Sequence, residues 1–184
     1  MGTTFYFKYS VRQIVTEEKL NQIIQEINSA PTISQNFKDT YSKVYPNVFK
    51  DNLNATLKNA IFGNEQEQCP SRQVANQYWW LIADTKSEIT RKLHYAGLVW
   101  TLEDNITQEK CFEYYMSHFD FTSNAKGINQ ASLMFYNKSL DSLTVDEQLG
   151  IILLIKNPAY FNRLRFPDRY EKAVKELKEK ITGA

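Results

Sequence analysis

SRQVANQYWWLIADTKSEITRKLHYAGLVWTLE, residues 71–103, is the stretch on which the reading of this chain turns. Apolar residues recur at helical spacing on either side of Asp84 and Thr85, which reads as two apolar-faced helices joined there. The first half starts polar (Ser71, Arg72, Gln73, Asn76, Gln77) and ends in an aromatic block, Tyr78, Trp79 and Trp80. The second half carries a basic pair, Arg91 and Lys92, one helical turn before Tyr95. Polar, aromatic and cationic residues on adjoining helices make this the expected floor of any polar ligand site.

Outward from that stretch, 184 residues suit one domain, 1–184, with residues 1–15 as an N-terminal extension. The apolar share of 42% can supply a core, and the aromatic share of 14% makes that core or a groove rich in rings. Lys plus Arg (22) nearly balance Asp plus Glu (21), which excludes a bulk polyanion binder and argues against nucleic acid as a partner. Five prolines and six glycines argue against an all-β sandwich. Cys69 and Cys111 are too few for a disulfide framework, though a single bridge stays open. Neither has metal-ligand neighbours at zinc spacing, and His94 and His118 are isolated. No apolar run approaches the ~20 residues of a membrane span. Met1 to Ser10 does not read as a signal peptide. The chain is therefore expected to be cytoplasmic, or to act in the cell envelope if an anchor ahead of it has been removed.

Before the central stretch, Phe5, Phe7, Tyr9 and Val11 alternate with polar residues and read as one short strand. Thr16 reads as an N-cap, followed by Glu17 and Glu18 and an apolar stripe of Leu20, Ile23, Ile24 and Ile27. A helix over Asn36–Val44 ends at Pro46. The next is capped by Asp51 or Asn52, with Leu53, Leu57, Ala60 and Ile61 inward and Gly63 as its stop. Beyond Glu103, Thr107 caps a helix with Cys111, Phe112, Tyr115 and Met116, and a loop ending at Gly127 leads into a short helix over Ile128–Tyr136. Thr144 and Glu147 form a capping box for a helix apolar nearly all round, expected to be the buried central one. Pro167 opens the last helix. The expected fold is a mostly α domain.

From Tyr115 onward the residues resemble a known family. Tyr115-Met116-Ser117 is followed by Phe121, Gly127-Ile128, Ala131, Phe135-Tyr136-Asn137-Lys138-Ser139, Leu143-Thr144 and Glu147. Ile155-Lys156-Asn157-Pro158, Tyr160, Asn162 and Pro167-Asp168-Arg169 complete the run. The order and spacing are similar to the C-terminal half of the family-51 peptidoglycan glycosyltransferase domain. That domain is the lysozyme-like module of class A penicillin-binding proteins and monofunctional transglycosylases. Upstream, Arg91-Lys92-Leu93 stands where the family has RKxxE, Glu103 ends that helix as a family glutamate does, and Arg72 to Gln77 resembles STxxQQ. The resemblance implies a single lysozyme-like helical domain, a glycan or lipid-linked sugar pyrophosphate as ligand, and a membrane surface or cell-envelope proteins as neighbours. It implies no organic cofactor; a divalent metal enters by resemblance only.

The departures bear on chemistry. The family's first motif, EDxxFxxHxG, supplies the glutamate that deprotonates the acceptor hydroxyl. By order it falls between Gln35 and Asp51, where Asp39 and Asp51 are the only carboxylates. They are the weak candidates for a relocated base; Asp51 serves equally as a cap. Tyr95 stands where the glutamate closing RKxxE belongs, and a phenol of pKa about 10 does not replace a carboxylate. The family's Lys and Asn of the fourth motif align with Gln108 and Ser117. General-base assistance contributes about 10²–10⁴-fold, so its loss decides between catalysis and binding.

Each candidate has a functional and a bland reading. Arg91 and Lys92 suit a pyrophosphate, or form a solvated face with Glu88 pairing to Lys92. Ser71, Arg72, Asn76 and Gln77 suit a sugar subsite, or are helix-start caps. Trp79, Trp80 and Trp100 are read as core packing, with sugar stacking the alternative. Glu65 and Glu67 read as mobile solvated charge. The favoured function is a catalytically degenerate transglycosylase-like domain that binds a glycan or lipid-linked pyrophosphate. The alternatives are an active glycosyltransferase with a relocated carboxylate and, more weakly, a lytic muramidase.

Overall fold

The computed structural model describes residues 10–61, 69–122 and 124–183. Among them lie nine α-helices, two short 3₁₀ turns and no strand, so the chain is mostly α as its periodicity implies. The expected strand is a helical turn where it can be seen. The amides of Gln13 and Ile14 donate to the Ser10 and Val11 carbonyls at 3.2 and 3.0 Å. The rest of that expected strand, and Glu65 and Glu67, lie outside the described residues. The chain divides into two compact units, one of Met1–Ala30 with Asn47–Tyr115, the other of Pro31–Pro46 with Met116–Ala184.

The first unit begins with α1 (Glu17–Asn28). The Thr16 hydroxyl accepts from the Lys19 amide at 3.2 Å, and Leu20, Ile23 and Ile27 face inward. In α3 (Leu53–Ile61) the cap is Asn52, whose side-chain oxygen accepts from the Ala55 amide at 3.0 Å. Leu53 and Thr56 make its buried face. Leu57, expected inside, is 47% exposed because it sits one position round from that face. The side chains at 60 and 61, and Gly63, lie outside the described residues. The quoted stretch forms α4 (Pro70–Gln77), a 3₁₀ turn (Trp79–Leu81) and α5 (Glu88–Asn105), with Ser87 capping α5. The first helix is thus shorter than its apolar pattern predicts. At Tyr78 the backbone leaves the α region, and its ring turns inward to stack on Tyr114 at 6.2 Å. Helix α6 (Gln108–His118) follows, its Thr107 cap accepting from the Lys110 amide at 3.2 Å.

The second unit is organised on α8 (Val145–Lys156). All residues from Gln148 to Ile155 are buried, and α2 (Gln35–Val44), α7 (Ile128–Tyr136) and α9 (Pro167–Thr182) pack on it. Its capping box is complete: the Thr144 hydroxyl accepts from the Glu147 amide, and the Glu147 carboxylate accepts from the Thr144 amide at 2.8 Å. Lys138 adds an ion pair to Glu147 at 2.7 Å and holds that carboxyl below its ordinary range. Two glycines allow close approaches. Gly127, at φ +83°, lies so near the Ser117 carbonyl oxygen that a Cβ would stand 2.6 Å from it. A Cβ at Gly150 would collide with the hydroxyls of Tyr136 and Tyr170, which bond to each other beside α8. No helix among the described residues is long and apolar enough to cross a membrane.

Candidate functional site

The polar residues of the quoted stretch divide into an inward set and an outward set. Ser71 is fully buried at the start of α4, and its hydroxyl donates to Glu103 Oε1 at 2.7 Å. The same oxygen accepts from the Leu53 amide at 2.8 Å and from Gln108 Nε2 at 3.3 Å. Gln108 in turn accepts from the Ser71 amide at 2.9 Å and donates to its hydroxyl at 3.0 Å. One carboxylate therefore ties the starts of α3 and α4 to α5 and to the first turn of α6. Cys69 lies beside this knot, its Sγ 3.2 Å from the Ser71 hydroxyl. Cys69 and Cys111 are free, buried thiols, and burial pushes Cys111 up to about 12, so it stays protonated at neutral pH. The Ser71 hydroxyl is thus engaged inside the protein, and not as a helix cap: the N-cap of α4 is Cys69, which makes no side-chain cap hydrogen bond.

The outward set gathers around Tyr95. The Tyr95 hydroxyl donates to Asn76 Oδ1 at 2.8 Å, with the Arg72 carbonyl as a second acceptor at 3.1 Å. Burial raises the Tyr95 pKa, and the adjacent Arg72 guanidinium only partly opposes that. The phenol is neutral at pH 7, with its proton committed. Trp79 packs on the Tyr95 ring at 5.9 Å, and the Arg91 guanidinium lies over the other ring system of the group, that of Trp79, at 5.8 Å. Arg91, Trp79, Tyr95, Asn76 and Arg72 thus form one continuous cationic and aromatic group across α4, the 3₁₀ turn and α5. Arg72 Nε is buried without a hydrogen-bond partner among the described residues. An orphaned donor of that kind costs about 1–3 kcal/mol, so it marks a place with unspent bonding capacity.

Four of the residues expected in the site are therefore brought together: Arg72, Asn76, Arg91 and Tyr95. Two others are not. Lys92 is solvated and pairs with Glu88 at 2.7 Å, the bland alternative for that residue. Gln77 is half-buried at the end of α4. Two of the three tryptophans correct the core reading, while Trp100 packs against the core. Trp79 and Trp80 are 42% and 58% exposed, because the helix stops at Gln77 and the rings leave its apolar face. Trp100 is half-buried and donates through Nε1 to Asn54 at 3.0 Å. Lys19 lies 5.9 Å from the Trp80 ring, extending the cation–aromatic pattern.

Neither candidate base stands in this group. Asp51 precedes α3, where the cap is Asn52. Asp39 lies on α2 in the other unit, and its carboxylate accepts from Gln35 at 2.8 Å. A feature that pattern reading did not single out is a relay in the first unit. Glu26 accepts from Tyr114 at 2.8 Å, and Tyr114 and Tyr78 share a hydrogen bond of 2.6 Å. Burial pushes Tyr114 up to about 12 and Tyr78 higher still, so both rings are neutral. His94 is buried, 3.3 Å from the Thr85 hydroxyl, and burial lowers its pKa, leaving a neutral imidazole. Among the described residues no three His, Cys, Asp or Glu side chains stand together as a metal site.

Comparison with known proteins supplies the context for this geometry. The family model described as Transglycosylase matches residues 48–182. A biosynthetic peptidoglycan transglycosylase of Methylobacillus flagellatus is 30% identical over 95 residues, 52% of this chain and 40% of that protein. Penicillin-binding protein 1A of Neisseria flavescens is 26% identical over 117 residues, 62% of this chain and 14% of that protein. The same holds for its counterpart in Neisseria lactamica. The chain thus spans less than half the length of these relatives. The match begins at residue 48, so most of the window expected to hold the family's first glutamate, Asp39 included, precedes it, while Asp51 falls inside it. With the family model covering most of the sequence, the helical fold and the Arg91-centred group belong to a member of the transglycosylase family, the peptidoglycan glycosyltransferases of family 51.

Proposed function

We propose that this chain is a binding relative of the peptidoglycan transglycosylases: it holds a glycan or a lipid-linked sugar pyrophosphate at the Arg91 group without catalysing glycosyl transfer. The observation that carries this reading is Tyr95. It stands at a glutamate position of the family, and it is a neutral phenol whose proton is committed to Asn76. Glycosyl transfer forms a bond from the acceptor oxygen to the sugar C1 and breaks the bond from C1 to the pyrophosphate oxygen. It needs a base on the incoming hydroxyl and cations on the departing diphosphate. Arg72 and Arg91 supply the second requirement. Nothing in the Tyr95 group supplies the first.

Binding draws on the same parts. The exposed faces of Trp79 and Trp80 suit the apolar face of a sugar ring, Asn76 offers an amide donor, and the orphaned Arg72 Nε offers a further one. Action in the cell envelope, on the outer side of a membrane, fits a ligand of this class. The test is a titration of the full chain with lipid-linked disaccharide pyrophosphate in detergent, followed by tryptophan fluorescence. Saturable quenching is expected, with Arg91→Ala weakening affinity about tenfold, the equivalent of ~1.4 kcal/mol. An undiminished titration in Arg91→Ala would remove the site from this group.

A further inference from the structure

A second concave surface lies in the other unit and is chemically unlike the Tyr95 group. It is a groove of ≈ 500 Å³ running beside α9, closed at one end by the loop after α8. The residues that α9 contributes are Arg169, Lys172, Ala173, Glu176, Leu177 and Lys180. Their spacing of three, four, seven, eight and eleven residues is one stripe of a helix. The groove therefore follows α9 for about 16 Å, at 1.5 Å per residue. A hollow of that length beside a helix fits an elongated occupant better than a compact one.

Its lining has two parts. The floor is apolar: Leu153 from α8, Phe161 from the loop, and Ala173 and Leu177 half-buried on α9. The rim is cationic: Lys156, Arg169, Lys172 and Lys180 are all exposed, against a single carboxylate, Glu176. That glutamate does not neutralise the rim, since its pairing with Lys172 spans 3.9 Å between two largely solvated side chains. The wall at the α8 end is held in place. Arg169 stacks on Tyr160 at 4.2 Å, and Tyr160 meets Phe161 edge-on at 4.9 Å. The opposite face of α9 differs, because there Lys178 pairs with Asp146 at 2.8 Å and Lys175 lies 4.0 Å from Glu179. The unbalanced positive charge belongs to the groove side.

We propose that this groove is a docking site for an acidic amphipathic helix of a partner protein. An apolar stripe at i, i+3, i+4 and i+7 on the partner would cover Ala173, Leu177 and Phe161, and flanking carboxylates would face Lys156, Lys172 and Lys180. A flat anionic membrane does not reach a concave apolar floor, and a polyanion without apolar side chains leaves that floor uncovered.

The experiment titrates the full chain at about 0.15 M salt with a fluorescein-labelled synthetic helix of about 16 residues, long enough to span the groove. The peptide carries leucines at the stated spacing and glutamates on both flanks. Comparators are a scramble of the same composition, phosphatidylglycerol vesicles, and the chain's own self-association by sedimentation. Saturable binding by the patterned helix is expected, at least tenfold tighter than the scramble. Lys172→Glu and Lys180→Glu should each weaken it about tenfold, and Lys175→Glu, on the other face of α9, should not. Equal binding of the scramble, or an equal loss in Lys175→Glu, would reduce the surface to unspecific charge and overturn the proposal. So would binding to vesicles alone, a dimer abolished by Lys172→Glu, or no saturable binding of the patterned helix.

Discussion

At the scale of single residues, Glu103 and Tyr95 show how one stretch serves two ends. Glu103 Oε1 accepts from Leu53, Ser71 and Gln108, and more distantly from the Cys69 thiol, and so fixes the starts of two helices. Its replacement by alanine strands a buried hydroxyl and a helix-start amide. Glu103→Ala should lower the unfolding free energy by about 2–4 kcal/mol, and Glu103→Gln by less, in a urea titration followed by helical circular dichroism. An unchanged midpoint in Glu103→Ala would mean that water replaces the carboxylate at no cost. Tyr95 has the opposite character, since its partners are at the half-exposed edge of α4. Tyr95→Phe should cost about 1 kcal/mol and leave the fold intact, read in the same titration.

At the scale of elements, what the sequence reveals and what it hides separate along a physical line. The caps Thr16, Thr107 and Thr144 were legible, because a cap is decided by residues three apart. So was the burial of α8, since a helix apolar all round has no solvent face to offer. The exposure of Trp79 and Trp80 was not legible. Their spacing continues the apolar phase of α4, and only the inward turn of Tyr78 toward Tyr114, 36 residues away, ends that helix early. The Ser71–Glu103–Gln108 knot was hidden for the same reason: its partners are 32 and 37 residues apart. Of the expected ligand residues, Arg72, Asn76 and Arg91 converge with Tyr95, which stands at the substituted glutamate position, because a helical turn relates each pair on its own helix and Trp79 joins the two. The packing of α8 gives a sharp prediction. Gly150→Ala places a methyl group into the Tyr136 and Tyr170 hydroxyls and should destabilise by about 1–3 kcal/mol, against the few tenths gained by alanine in an open helix. Thermal unfolding checks it, and a neutral or stabilising effect would show that the tyrosines move aside freely.

At the scale of the whole molecule, the two units should respond to acid at different points. In the first, burial depresses the His94 pKa, so the unfolded chain binds its proton more readily than the folded one. That contribution is fully present above the unfolded value of about 6.5 and is lost as the pH falls from there through the folded value. In the second, Lys138 depresses Glu147. Its contribution is present above the unfolded carboxylate value of about 4.3 and is lost only as the pH falls through the lower folded one. Amide exchange across a pH series should therefore show α5 losing protection at milder acidity than α8, with His94→Gln removing the earlier loss. Simultaneous loss in both helices would contradict the assignment.

Family membership leaves one question about the whole molecule, whether the site proposed at the Arg91 group catalyses glycosyl transfer. The direct measurement is incubation of the full chain with radiolabelled lipid-linked disaccharide, with product chains resolved by gel electrophoresis. A chain with no base beside Tyr95 should give no polymer above the protein-free control, while Arg91→Ala still loses binding. Glycan chains that lengthen with time, and that vanish in Arg91→Ala, would show an active transglycosylase and contradict the binding reading.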